Sequence, residues 1–281
     1  MAMTNAAAAY FEANAGRWDA LRESYFGEEV RAAALAHGYL RPEYVVADVG
    51  AGTGYIADAL AARVAAVRVI DGSPAMLDVA RQNLSGHNNV TYHLSDGARL
   101  PLEDGAVDAV FANMVLHHCP DPAAAIAEMV RILKPGGRLV ITDMDQHEHA
   151  WMREEMADEW LGFARADVKR WLRAAGLVNA LVQDTGRQCV GASEQDPARS
   201  AAINVFVATG SRRIAARAAV QARYGATAER LATEVTEGAE VSSGACCSPK
   251  AEAPAEVIEL AVSGGACCSP KAEAPAEVIE L

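Results

Sequence analysis

The stretch 47-ADVGAGTGY-55 decides how this chain is read. An apolar run, 44-YVVADVG-50, reaches Asp48 and then Gly50, Gly52 and Gly54, and the following IADALAARV has the spacing of a helix. Such glycines let the backbone turn sharply and let a ligand approach the main chain, while a helix N-terminus offers free N–H groups to an anion. The same pattern also makes an ordinary strand-to-helix turn, so other positions must decide between the two.

They supply acids. The run VAAVRVID ends on Asp71, 17 residues beyond Gly54, and 89-NVTYHLSD-96 ends on Asp96. A carboxylate at the position of Asp71 can accept hydrogen bonds from both ribose hydroxyls of a nucleoside, and open parallel sheets bind ligands at the carboxyl ends of their strands. A nicotinamide fingerprint, G-x-G-x-x-G/A, needs Gly or Ala at position 55, where this chain has Tyr55. The loop reads instead as D-x-G-x-G-x-G.

The same alternation runs on to residue 211. YVVADVG, VAAVRVID, NVTYHLSD, AVDAVFANMV and GRLVITDMD are five candidate parallel strands, separated by helical patterns, one of which stops at 134-KPGG-137. Two further β-rich runs, VNALVQDTG and AAINVFVATGS, have no helix between them and read as an antiparallel pair. The expected fold class is α/β: a Rossmann-like, seven-stranded, mostly parallel sheet with an antiparallel final strand. Residues 1–43 read as an N-terminal helical cap, 44–211 as the main domain and 212–281 as an extension. Tyr10, Phe11, Trp18 and Tyr25 in the cap either pack the helices down or cover a ligand.

This set of residues resembles the class I methyltransferases that use S-adenosyl-L-methionine, particularly the small-molecule branch related to quinone biosynthesis. The resemblance covers about residues 10 to 210. It implies that Gly50, Gly52 and Gly54 approach the methionine part of the cofactor, with Asp48 at its amino end and Asp71 on the ribose. It also implies that Asp96, Gly97 and Ala98 recognise the adenine, that Met76 packs on the base, and that Asn113 and Met114 stand beside the reacting methyl.

The segment 115-VLHHCPDP-122 follows the fourth strand, so His117 and His118 are candidate proton acceptors, imidazole being the group that titrates in the useful range. A structural role in the turn is the competing expectation. Cys119 beside them is a candidate nucleophile, a soft ligand or a buried residue. Asp143, Asp145, His147, Glu148 and His149 in 142-TDMDQHEHAW-151 make either a metal-binding mixture or a solvated substrate-side loop.

Composition narrows the partners. With 25 basic and 37 acidic residues the chain carries a formal charge of −12, which favours neither nucleic-acid phosphates nor anionic lipid. No basic n-region with an apolar core opens it and no run is long enough to span a bilayer, so a cytoplasmic protein with a small-molecule or metalloid substrate is expected. The sequence leaves the oligomeric state open.

Residues 241–260 and 262–281 match at 19 of 20 positions and carry Cys246, Cys247, Cys267 and Cys268. Their Ala, Glu, Pro, Ser and Gly content predicts a largely disordered tail. Adjacent cysteines are poorly spaced to bridge each other but can offer two thiolates to a soft ion, including trivalent arsenic. The stretch from Val220 to Cys247 resembles the segment before the catalytic domain of arsenite methyltransferases. That family also has a cysteine soon after the glycine loop, whereas no Cys occurs here between residues 1 and 118.

The leading expectation is therefore methyl transfer from S-adenosyl-L-methionine to a small acceptor, with trivalent arsenic as the specific guess. The alternatives are O-, N- or C-methylation of a quinone-like or other small metabolite, and a non-catalytic metalloid sensor or sequestering protein.

Overall fold

The computed structural model describes residues 5–95, 99–196 and 198–214. Asp96, Gly97, Ala98 and the four tail cysteines lie outside the described residues, as does all but the start of the 212–281 extension.

Seven strands form one sheet in the order β3-β2-β1-β4-β5-β7-β6. In chain order these are β1 (Val45–Val49), β2 (Ala66–Asp71), β3 (Val90–Leu94), β4 (Val107–Asn113), β5 (Leu133–Met144), β6 (Leu177–Ala192) and β7 (Ser200–Arg212). Strands β1 to β5 pair in parallel. β7 runs antiparallel to both β5 and β6. The sequence-derived fold class is thus observed, with the antiparallel strand set one place in from the edge.

Alternation along the central strands feeds two helix layers. Ala47, Val49, Val110, Ala112, Leu139 and Ile141 face one core, packed with Ile126 and Met129 of α6 (Pro122–Ile132) and Val168 and Leu172 of α8 (Arg165–Ala174). Val46, Ala109, Phe111 and Val140 face the other core. There they meet Ala34 of α3 (Glu28–Ala36), Leu60 of α4 (Tyr55–Ala61) and Leu77 of α5 (Pro74–Asn83). This period-two switching is what a strand buried on both faces requires.

Local chemistry sets the helix starts. Ser73 and Asp121 are N-caps that accept from Met76 N and Ala124 N, each followed directly by a proline in the first turn. Two helices lie at the cleft: α2 (Trp18–Tyr25), which belongs to the expected helical cap and follows α1 (Asn5–Asn14), and the five-residue α7 (Trp151–Glu155), which the sequence pattern does not announce. Among the described residues no helix is long and apolar enough to cross a membrane.

Phe206 sits in the middle of β7 with its ring fully buried. Phe206→Ala is expected to lower the unfolding free energy by about 3–5 kcal/mol, read as a reduced denaturant midpoint at unchanged m-value.

Candidate functional site

The sheet order reverses between β1 and β4, and a cavity opens at the carboxyl ends of those strands, as it does at the switch point of an open α/β sheet. Its lining includes Asp48, Gly50, Gly52, Asp71, Met76, Asn113 and Met114. Of the residues expected to hold a cofactor, these seven are brought together; Gly54 caps the start of α4 directly behind them.

Gly50, Gly52 and Gly54 all have positive φ, at 68°, 53° and 91°. Gly50 N and Ala51 N donate to Ile70 O, and Gly52 N donates to Asp71 Oδ2 at 2.7 Å. Ser73 N donates to Asp71 Oδ1 at 2.9 Å. Burial pushes the Asp71 carboxyl up, while the N–H groups of Ser73, Gly52 and Gly72 pull it back. With three N–H donors on about four acceptor sites, the carboxylate keeps acceptor capacity for a ligand hydroxyl.

Asp48 is buried, and its Oδ2 has no hydrogen-bond partner. Burial, with the neighbouring Asp71 charge adding to it, pushes its carboxyl up to about 7. A cationic group placed there would supply the missing partner. Asn113 Oδ1 accepts from Thr142 Oγ1 at 2.6 Å, and Met114 adopts the left-handed φ of 52° with its N–H given to Thr142 O. A non-glycine residue held in that region marks a strained position beside the cavity.

The N-terminal helices cover this ground. Glu12 accepts from Ser73 Oγ at 3.0 Å, and Asp19 accepts from Thr53 Oγ1 at 2.6 Å and from Asn83 Nδ2 at 3.0 Å. Phe11 and Trp18 line the cavity with ring centroids 5.2 Å apart. The aromatic cluster therefore both packs the cap and faces the cavity. Arg22 also lines it, its guanidinium 3.8 Å from the centroid of the Tyr55 ring. Sequence reasoning used Tyr55 only to exclude a nicotinamide loop, and no signal marked Arg22.

A second cavity adjoins the first, sharing Trp18, Phe26, Met114 and His118 with it. The rest of its wall includes Tyr10, Tyr25, Met144, Met152, Met156, His117, Asp158 and Cys189. His117 and His118 occupy a 3-10 turn, Leu116–His118, and both are buried. His117 Nδ1 lies 2.8 Å from Asp143 Oδ1. Burial works against its imidazolium form, but the Asp143 and Asp158 carboxylates outweigh it and push the ring up to about 9. His118 Nδ1 lies 3.1 Å from Ala157 O, and burial followed by the His117 charge holds that ring well below its ordinary value.

Of the two readings of 142-TDMDQHEHAW-151, the metal-binding mixture is not gathered into a ligand set among the described residues. Asp143 turns to His117, Asp145 forms a two-point ion pair with Arg165 at 2.7 and 2.6 Å, and His147 Nδ1 accepts from His149 N. Asp158, which no motif announced, stands beside the two histidines instead.

Residues 47–141 match the family model described as a methyltransferase domain. The fold, the acids at the strand ends and this match define a methyltransferase domain whose cofactor is S-adenosyl-L-methionine. Over 155 residues the chain is 34% identical to the malonyl-[acyl-carrier protein] O-methyltransferase of Serratia marcescens, covering 55% of this chain and 57% of that one. Over 98 residues it is 40% identical to the demethylmenaquinone methyltransferase of Clavibacter sepedonicus, covering 35% of this chain and 40% of that one. The chain spans roughly half the length of these curated relatives. A SAM-dependent methyltransferase structure from Aquifex aeolicus superposes with a TM-score of 0.52 at 21% identity, over 71% of this chain and 97% of that one, a likeness of fold.

The state of Asp48 yields a pH prediction. Its folded pKa of about 7 lies above the usual carboxylate value, so its contribution to stability is lost as pH rises from about 4 through 7. A cofactor ammonium beside it favours the carboxylate, so binding should release a proton near pH 6 and strengthen from pH 6 to 8. Calorimetric titration with S-adenosylhomocysteine in buffers of different ionisation enthalpy reads that proton, and Asp48→Asn should abolish it.

Proposed function

We propose that the chain transfers a methyl group from S-adenosyl-L-methionine to a small organic acceptor with an apolar, quinone-like ring. The observation that carries this reading is the second cavity, which meets the first at Met114 and is walled by Tyr10, Tyr25, Trp18, Phe26 and four methionines. Aromatic faces and polarizable thioethers suit a flat apolar ring, while His117 and Asp158 give one polar end. The similarity to a demethylmenaquinone methyltransferase supports the same class of acceptor.

When bound, the cofactor supplies an electrophilic methyl group on a sulfonium. The chain's own part is orientation and exclusion of water. Asp71 and the glycine loop fix the nucleoside side, Asp48 meets the amino end, and Asn113 and Met114 form the border towards the acceptor. The Asp96, Gly97 and Ala98 segment is assigned to the adenine by the family resemblance. His117 and His118 belong to the acceptor side as a polar wall. Neither is a free base in this arrangement, since one ring is engaged by Asp143 and the other by Ala157 O.

Trivalent arsenic is the other acceptor in view, on account of Cys246, Cys247, Cys267 and Cys268. The described thiols do not support it: burial pushes Cys119 and Cys189 each up to about 12, and a protonated thiol is a poor ligand. The organic acceptor is therefore preferred.

Incubating the full chain with methyl-labelled cofactor and, separately, a naphthoquinol, a catechol and As(III) under reducing conditions distinguishes the acceptors. Label should enter an organic probe, and replacing the four tail cysteines by serine should leave that rate unchanged. Methylated arsenic formed only with the cysteines present would reverse the choice. Asp71→Ala should weaken S-adenosylhomocysteine binding by about 100-fold or more, since two hydrogen bonds to a charged group are lost. Unchanged binding in that titration would remove the cofactor assignment.

A further inference from the structure

We propose that His117, His118 and Asp158 form a binding site for one divalent transition-metal ion of the zinc type, set in the wall of the second cavity. One ring nitrogen from each histidine and one carboxylate oxygen of Asp158 lie within 4.8 Å of one another, and all three residues are buried. Two imidazoles and a carboxylate are a donor set that suits zinc and its neighbours, with a fourth position left for water or a substrate atom.

The distances point to a shared central partner. Asp158 Oδ1 lies 3.8 Å from His117 Nε2 and 3.9 Å from His118 Nδ1, both too long for hydrogen bonds. Asp158 Oδ2 is buried with no hydrogen-bond partner at all. A buried carboxylate left in that condition is costly. Donor atoms about 2.0–2.1 Å from a tetrahedral zinc are about 3.4 Å from one another, so Asp158 Oδ1 would close on each ring nitrogen by about half an ångström, within a set of donors already gathered inside 4.8 Å.

The surroundings hold the donors in place. Glu159 N and Trp160 N both donate to His117 O, at 3.1 and 3.0 Å, which ties the turn carrying Asp158 to the turn carrying the histidines. Ala157, just before Asp158, takes the left-handed φ of 59°, a conformation that costs free energy in a residue other than glycine. Asp143 fixes the far side of the His117 ring at Nδ1 and also accepts from Leu116 N and His117 N. A carboxylate behind a ligating imidazole is the usual way to orient it and leave Nε2 for the metal.

Binding exchanges protons for the ion. A proton on His117 Nε2 or on Asp158 leaves to solvent, and His118 gives up its Nδ1 hydrogen bond to Ala157 O and carries its ring proton on Nε2. The bound site then holds two neutral imidazoles and the Asp143 and Asp158 carboxylates around a charge of +2, which balances. This inference does not depend on which acceptor is methylated.

The test uses the full chain with Cys246, Cys247, Cys267 and Cys268 replaced by serine, so that tail thiols do not compete. Dialysed against Zn²⁺ and then against metal-free buffer, it should retain about one equivalent by elemental analysis. Titrated with Co²⁺, it should develop the visible bands of a four-coordinate nitrogen and oxygen site. Asp158→Asn and, separately, His117→Gln should each weaken Co²⁺ binding at least tenfold while S-adenosylhomocysteine binding confirms the fold. No retained metal and no cobalt bands in the parent chain would overturn the proposal whatever the variants do, as would binding indifferent to Asp158→Asn.

Discussion

Most of the site depends on one carboxylate. Asp71, at the end of β2, accepts from Gly52 N through one oxygen and from Ser73 N through the other. It thereby joins the glycine loop after β1 to the first turn of α5. The cap is fastened to the same two segments, through Glu12 on Ser73 and Asp19 on Thr53. The group assigned to the ribose is therefore also the node that gives the cavity its shape. Backbone N–H groups favour its ionised form against the burial that opposes it.

Asp143 does the corresponding work at the end of β5. Fully buried, it accepts from His117 Nδ1, from Leu116 N and His117 N, and from Met144 N. The turn after β4 is thus anchored to β5 much as the turn after β1 is anchored to β2. Two acids at strand ends, two hydrogen-bonded turns and one cleft between them give the domain a fixed floor. The cap then supplies the cover.

What could be read from sequence follows the range of the interactions involved. Asp48, Asp71 and the three glycines announce themselves because strand ends and loop chemistry repeat at short spacing. The strand pattern was likewise local, down to the helix stop before 134-KPGG-137, since α6 ends at Ile132. Asp158 left no such trace: it reaches the histidines from about 40 residues away, delivered by a left-handed alanine and two backbone hydrogen bonds. Asp143 was visible as a residue but not as the partner of His117, because that pairing depends on how β4 and β5 lie side by side. The two readings of the H-x-H at His147 and His149 could not be separated locally for the same reason, as it is Arg165 on α8 that occupies Asp145.

The glycine loop raised two readings at the outset, a tight turn or a ligand cradle, and the structure divides them residue by residue. A Cβ on Gly50 would fall inside the side chain of Val115, and one on Gly54 would come within 2.8 Å of Leu84 Cδ1. Those two glycines answer to packing between the loop and its neighbours, as well as to their positive φ. Gly52 differs. A Cβ there would meet nothing nearer than Trp18 Nε1 at 3.5 Å, and Gly52 itself lines the cavity with its N–H given to Asp71. Steric crowding by the protein does not explain Gly52. Its left-handed backbone, which aims the amide at the Asp71 carboxylate, does. Gly50 and Gly54 thus answer to packing behind the loop, whereas Gly52 answers to the hydrogen bond that shapes the cavity wall.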